Sequence, residues 1–324
     1  MMPEIEMDKE IKSEFSKETI QKRREYYGRS YVAFEIIKYA RNREMAFLGA
    51  GYSRKDNIRY LNCGLLNIFW KNLGIRTNNE KEDEVADPFH FFDKNLNIYC
   101  SLAQIDWSKA PIKTFSYIGK QRREQQEEFK ENLHEYLTDI EGAIDFDGDQ
   151  DIENVNGKEI KKELEISPEQ AIERARADCL KVVNLFNQFK IKWFCLFSGT
   201  RGLHLHFEVP MEISFDKKLD LINNIVHEIA TTMDLKTIDR SKYNSRKVFK
   251  NPMSLVTKNN QTFVCLPLDD HQLKSFKISD MRVENVSRSV RLKDRGCLWR
   301  NSEISKEERI KYFKTFLNDM EIKI

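Results

Sequence analysis

Along residues 143–149, apolar and acidic side chains alternate with a period of two: Ala143, Ile144, Asp145, Phe146, Asp147, Gly148, Asp149. A strand turns successive side chains to opposite faces, so Ile144 and Phe146 are predicted to enter a core while Asp145 and Asp147 share the other face. Elsewhere the period is helical. Helices are predicted from Glu14 to Gly28, from Tyr31 to Arg43 with Val32, Ile36, Ile37 and Ala40 on one face, from Phe215 to Met233, and from Ser305 to Met320. The clearest helix start is Ser167-Pro168-Glu169-Gln170, which has a capping serine, proline in the first turn and a glutamine that can close the box. That helix is predicted to run to about Phe189, with Ala171, Ala175, Cys179, Val182, Val183 and Phe186 inward.

Short apolar runs at 44–49, 58–61, 95–105, 192–197 and 203–209 read as strands, the last two joined by a turn containing glycine. Polar 78–84 reads as a loop, charged 119–136 as a solvated helix face, and polar 151–165 as a mobile loop. Mixed strands and helices around a long central sheet make the fold class α+β. At 324 residues the chain can form one large domain or a domain with a subdomain. Internal repeats and low-complexity tracts are absent.

Composition narrows the function classes. Hydrophobic residues are 40% and charged residues 33%, with 54 basic against 52 acidic side chains and a formal net charge of +2. Any polyanion must therefore be met by local basic clusters rather than an overall field. The cysteines Cys63, Cys100, Cys179, Cys195, Cys265 and Cys297 include no Cys-x-x-Cys pair, which argues for reduced, structural thiols and against a zinc finger. The charged N-terminus carries no apolar signal segment, and no apolar run reaches membrane-spanning length. The expectation is a cytoplasmic protein without a membrane partner.

Two constellations carry chemistry. Holding Asp145 and Asp147 side by side costs Coulomb energy unless a cation lies between them, and hard oxygen ligands suit Mg²⁺ or Mn²⁺. Taken alone, acidic residues before Gly148 and Asp149 equally fit a turn. The second constellation, residues 198–206, gathers Ser198, Gly199, Thr200, Arg201, Gly202, His204 and His206. Glycines let the main chain approach a ligand, and a guanidinium matches phosphate oxygens, so this segment reads as a triphosphate cradle. His204 is the better functional candidate, and His206 reads as packed.

In this order, Asp145-Phe146-Asp147, Ser198-Gly199-Thr200-Arg201-Gly202-Leu203-His204, and Ile238-Asp239 followed by Lys250-Asn251-Pro252-Met253-Ser254-Leu255, the chain resembles the catalytic small subunit of the archaeo-eukaryotic primase superfamily. Arg43-Glu44-Met45-Ala46-Phe47, Ile58-Arg59-Tyr60 and Tyr99-Cys100-Ser101 are similar to further segments of that family, so the likeness runs from about Arg43 to Lys258. It departs at Thr200, where many members have arginine, and at Val256, where a histidine is common. It also has no Cys/His cluster between Asp147 and Ser198, which implies a divergent, zinc-free member.

The resemblance implies a primase fold, a mixed sheet flanked by helices, in a single catalytic domain over 1–324. Residues 1–42 would form N-terminal helices, 43–280 the catalytic core and 281–324 a helical tail. It further implies a primase or primase-polymerase that synthesises and extends primers on single-stranded DNA from NTPs or dNTPs. Asp145, Asp147 and Asp239 would bind two Mg²⁺ or Mn²⁺ ions. Ser198, Gly199, Arg201, Gly202, His204 and Lys258 would hold the nucleotide, with Arg59 and Arg43 as weaker contacts. Lys242, Arg246, Lys247 and Lys250 form a basic cluster that is either a solvated turn or a template contact. Aromatic sugar gates occur in many polymerases, and Tyr60, Tyr99 and Phe146 are candidates. Partners would be a primase large subunit or another replication or CRISPR-linked protein, since such relatives occur in replisomes, on mobile elements and beside CRISPR genes. Two alternatives stand: a non-haem metal oxygenase using His204, His206 and Asp239, and a degenerate nucleic-acid-binding accessory subunit.

Overall fold

The computed structural model describes residues 16–27, 29–40, 42–49, 58–60, 96–106, 108–109, 128–129, 131–155, 158–245, 247–258, 260–286 and 299–323. Two helices come first, α1 (Lys17–Tyr27) and α2 (Ser30–Ala40). The predicted second helix was longer. It stops at Ala40 because Asn42 takes a left-handed conformation with φ 62°, a usual way to end a helix, and Arg43 already opens a strand.

That strand, β1 (Arg43–Gly49), lies in an antiparallel sheet with β2 (Ile58–Tyr60), β3 (Leu96–Ile105), β4 (Leu137–Ile140) and β10 (Val248–Lys250). Just before β4 stands a single-turn helix, α3 (Leu133–Tyr136), whose Leu133 and Tyr136 form a small core with Phe129 and Ile105. The charged side chains of Glu128 and Glu131 face solvent there, as the sequence implies. The loop expected at 78–84 lies outside the described residues.

A second antiparallel sheet holds the centre, in the order β13 (Pro267–Leu268), β8 (Trp193–Phe197), β9 (Gly202–Phe207), β5 (Gly142–Asp147). Its two faces differ as the alternation demands. Ile144, Leu205 and Cys195 stand in register and turn toward α4 (Pro168–Gln188), where Cys179 Sγ comes within 3.8 Å of Cys195 Sγ. Phe207 meets Phe186 of that helix at 5.3 Å between ring centres. Asp145, His204 and Leu196 stand in register on the opposite face, toward the first sheet. Phe146 is fully buried, and truncating such a side chain costs about 3–5 kcal/mol.

The helix α4 forms for the local reason read in the sequence: the Ser167 hydroxyl accepts from the Gln170 amide, and the Gln170 side chain returns the bond to Ser167 N. Helix α5 (Phe215–Thr232) covers β4 and β5. A short helix α6 (Asp270–Ser275) and the terminal α7 (Lys306–Asp319) follow, with Phe316 of α7 packed on Phe186 and Phe189. The described cysteines, Cys100, Cys179, Cys195 and Cys265, are buried and free of disulfides. Among the described residues no helix is long and apolar enough to cross a membrane.

The polar stretch expected to be a mobile loop is instead a hairpin, β6 (Gln150–Val155) paired with β7 (Lys158–Glu163). Leu164 N donates to Asp149 O at 2.7 Å, and Arg174 of α4 pairs with Asp151, so the hairpin is fastened at its base. A second small hairpin, β11 (Leu255–Lys258) with β12 (Gln261–Val264), stands near β3.

Candidate active site

Between the two sheets opens a cleft of about 390 Å³. Asp145 and Asp147 of β5 lie on one wall, next to His204 of β9 and the β8–β9 turn with Ser198, Thr200 and Arg201. Opposite stand Tyr99 of β3 and Lys250 of β10, while Val256 and Lys258 come from the β11 hairpin. The chain thus brings four sequence-distant segments to one concavity.

The third acidic residue, Asp239, is brought next to β5 by main-chain bonding, although it is not among the residues that line the cleft. Ile238 bridges Phe146, Asp239 N donates to Asp145 O at 2.8 Å, and Asp147 N donates to Thr237 O at 2.7 Å. These bonds seat the 237–239 segment along the edge of β5. The carboxylates feel one another. Burial, with Asp147 and Asp239 adding repulsion, pushes Asp145 up to about 8, against the opposing pull of Lys247 and Lys250. Asp147 is likewise raised, chiefly by burial, with Arg201 working against the rise. Asp239 is held below its ordinary value: burial opposes that direction and is overcome by Lys161 and Ser241, which donate to its oxygens.

Lys161 Nζ stands 2.5 Å from Asp239 Oδ1, Ser241 N donates to the same oxygen at 2.9 Å, and Ser241 Oγ donates to Oδ2 at 2.9 Å. Among the described residues no three His, Cys, Asp or Glu side chains stand as a preformed metal cluster, in keeping with Asp239 being turned to Lys161. The donor chemistry itself fits a divalent cation: Asp145 and Asp147 line the cleft side by side, and the nearest ring nitrogen, His204 Nε2, stands 3.5 Å from Asp145 Oδ1.

The turn from Ser198 to Gly202 is closed by Ser198 N donating to Gly202 O at 3.0 Å and is tied to the end of β5 by Gly148 N donating to Arg201 O at 3.2 Å. Gly199 has φ +113°, and a Cβ there would stand 2.6 Å from Val256 Cγ2. At Gly202 a Cβ would stand 2.2 Å from the Phe146 carbonyl oxygen. Both positions therefore need glycine. The amides of Gly199, Thr200 and Arg201 meet no described acceptor, and Thr200 and Arg201 line the cleft. Lys250 Nζ donates to the Ser198 carbonyl and braces the turn from the other sheet. Arg201 is paired with Asp149 while keeping contact with the cleft.

His204 is buried, with Nε2 3.5 Å from Asp145 Oδ1 and Nδ1 meeting no partner among the described residues. Burial, then His206, Lys250 and Lys247, hold it well below the usual imidazole value, so it is neutral. His206 has a different life. It is wholly buried, stacks on Phe194 at 4.3 Å and places Nδ1 2.9 Å from Glu141 Oε1. Its Nδ1 is engaged by the core carboxylate of Glu141, and its Nε2 meets no described partner.

Arg43 also requires correction. Expected at the nucleotide, it is 5% exposed, with Nη2 2.7 Å from Glu141 Oε2 and Nη1 donating to the Ser101 and Leu102 carbonyls at 2.9 Å. A buried guanidinium so paired is a core element. Arg59 lies on β2, at the far edge of the first sheet from β10. The basic cluster divides: Lys242 is exposed, Lys247 lies 3.9 Å from Asp239 Oδ2, Lys250 enters the cleft, and Arg246 lies outside the described residues. Of the aromatic candidates, Phe146 is wholly buried and Tyr99 lines the cleft. Two contributors escaped the sequence reading, Lys161 and Asp149. An Asn-Gly dipeptide at 156–157, the hairpin signal, could have exposed the first.

No protein-family profile matches the chain, and no curated protein does. Among solved structures, it is similar to the polymerase domain of Ligase D from Mycobacterium tuberculosis, in complex with DNA. The two share 12% identity with a TM-score of 0.45, covering 84% of this chain and 89% of that one.

Proposed function

We propose that the chain is a nucleotidyltransferase of the primase-polymerase class, which joins nucleoside triphosphates on a single-stranded DNA template and builds primers de novo, with residues 43–280 as its catalytic core. What supports this reading is the main-chain bond from Asp239 to Asp145, which brings a third acidic residue next to the β5 pair, and that pair lines a cleft shared with Lys250 and Lys258.

Asp145, Asp147 and Asp239 would hold two Mg²⁺ or Mn²⁺ ions. When bound, such ions acidify the attacking 3′-hydroxyl and neutralise the charge of the leaving pyrophosphate. The remaining work falls to the chain's own groups. Free amides of the 199–201 turn, with Lys250 and Lys258 across the cleft, suit the triphosphate as a fixed set of donors that needs no reorganisation. Arg201 can leave Asp149 for a phosphate, since a guanidinium accepts either oxyanion in the same forked geometry. Neutral His204 keeps one ring proton to donate at the base of the cradle. Lys242, exposed beyond the cleft, is suited to the template backbone.

The test is incorporation of labelled NTPs or dNTPs on single-stranded DNA, with and without a primer, in Mg²⁺ and in Mn²⁺. Activity that disappears in Asp145→Ala and Asp147→Ala supports the assignment. Wild-type inactivity under all of these conditions, or full activity of either variant, overturns it.

A further inference from the structure

The three carboxylates are unequally served. Asp145 and Asp147 line the cleft, with His204 Nε2 3.5 Å from Asp145 Oδ1, whereas both oxygens of Asp239 are occupied by Lys161 and Ser241. Ser241 is two residues away on the same loop, so its bonds are local. Lys161 comes from another element, the β6–β7 hairpin, which belongs to neither large sheet. The hairpin leaves β5 directly after Gly148 and Asp149, and it is fastened at its base by the Leu164–Asp149 and Arg174–Asp151 contacts. Its register sets Lys161 opposite Ile152, and the period of two separates the side chains of Lys161 and Lys162 to opposite faces. The ammonium of Lys161 thus reaches Asp239 from an arm with an anchored base. Its side chain remains about half exposed, so the pair is exchangeable rather than sealed.

We propose that Lys161 is the built-in counter-ion of Asp239, that a divalent cation competes with it for this carboxylate, and that the hairpin arm is thereby uncoupled from the site when the cation binds. The proposal rests on the metal reading of the carboxylates. Oδ1 already accepts from both Lys161 Nζ and Ser241 N, which fill its two acceptor sites, so a divalent ion there must displace one of them, and the ammonium, which it repels, is the one to leave. Asp145 and Asp147 then form the half of the site open to a first cation, while the Asp239 half opens only as Lys161 withdraws. The released ammonium stays at the rim of the cleft, where a polyphosphate or a nucleic-acid backbone offers it a new anionic partner. Lys161 is a positioning residue in this account, acting through Asp239.

The experiment is a Mn²⁺ titration of the full chain without nucleotide, followed by calorimetry or by the electron-spin signal of free Mn²⁺. Lys161→Ala is expected to bind Mn²⁺ about three- to fivefold more tightly than wild type, the scale of a half-exposed ion pair. Lys161→Arg, which keeps the charge, should stay near the wild-type affinity, and Lys162→Ala, on the other hairpin face, should equal it. Equal affinity in wild type and Lys161→Ala, with both binding Mn²⁺, overturns this inference and leaves the proposed function standing. Wild-type protein that binds no Mn²⁺ overturns both.

Discussion

Asp145 and His204 are direct partners across the β5–β9 ladder, with His204 Nε2 3.5 Å from Asp145 Oδ1. A neutral imidazole offers this carboxylate no charge compensation, so the anionic site is uncompensated on its own strand pair. Function and stability should therefore pull apart here. Asp145→Asn and Asp147→Asn are each expected to lose more than about 100-fold in nucleotide incorporation, beyond what a group behind a metal ligand costs. In EDTA at pH 8.5 the same variants should melt about 1–3 °C higher than wild type, because each removes a mutually repelling charge. Calorimetric melts check this; a lower melting temperature would contradict the repulsion.

Arg201 exchanges Asp149 for substrate, so its loss should be felt in binding first. Arg201→Ala is expected to raise the nucleotide KM about tenfold, somewhat below a fully buried charge-assisted bond, with kcat changed less. Steady-state kinetics over a range of nucleotide concentrations decide this, and an unchanged KM would remove Arg201 from the cradle.

Glu141 is buried with Arg43, His206 and Tyr39 around it. Burial alone would raise it, but Arg43 above all, then His206 and Tyr39, hold it down at about 2. The sign follows: a carboxyl depressed in the folded chain stabilises above its ordinary value near 4.5 and loses that contribution as pH falls toward 2. Urea melts between pH 7 and pH 2.5 should show a steep acid loss in wild type and a shallower one in Glu141→Gln. Glu141→Ala, which strands the buried Arg43, should cost about 3–5 kcal/mol at neutral pH.

The two glycines of the cradle fail for separable reasons. Gly199→Ala meets Cγ2 and Cβ of the buried, β-branched Val256 and a strained φ, whereas Gly202→Ala meets the Phe146 carbonyl. Both should destabilise by about 1–3 kcal/mol. Adding Val256→Gly, which removes both clashing atoms, is expected to couple favourably with Gly199→Ala and to be simply additive with Gly202→Ala in urea melts.

Local chemistry made much of this legible from the sequence. The capping box at Ser167, the alternation around Asp145 and Asp147, and the β8–turn–β9 pattern each depend on residues within a few positions of one another, and each stands where expected. The β6–β7 hairpin is hidden because its strands are rich in Lys, Glu, Asp and Asn, which are depleted in strands, so the Asn-Gly dipeptide in the sequence is the signal that speaks for it. Arg43 was misjudged for another reason. Its partner Glu141 lies 98 residues away, in the link between β4 and β5, and no local pattern distinguishes a guanidinium that solvates a core carboxylate from one that awaits a phosphate. Lys161 and Asp239 likewise meet only through the fold.

The clamp of the 237–239 segment onto β5 is made wholly of backbone atoms, through Asp239 N to Asp145 O and Asp147 N to Thr237 O. Spacing at the acidic floor is consequently independent of which side chains occupy it. The scaffold behaves as a socket: residues 145, 147 and 239 could be refitted with imidazoles or amides to suit other ions, while the mounting beneath them keeps its shape.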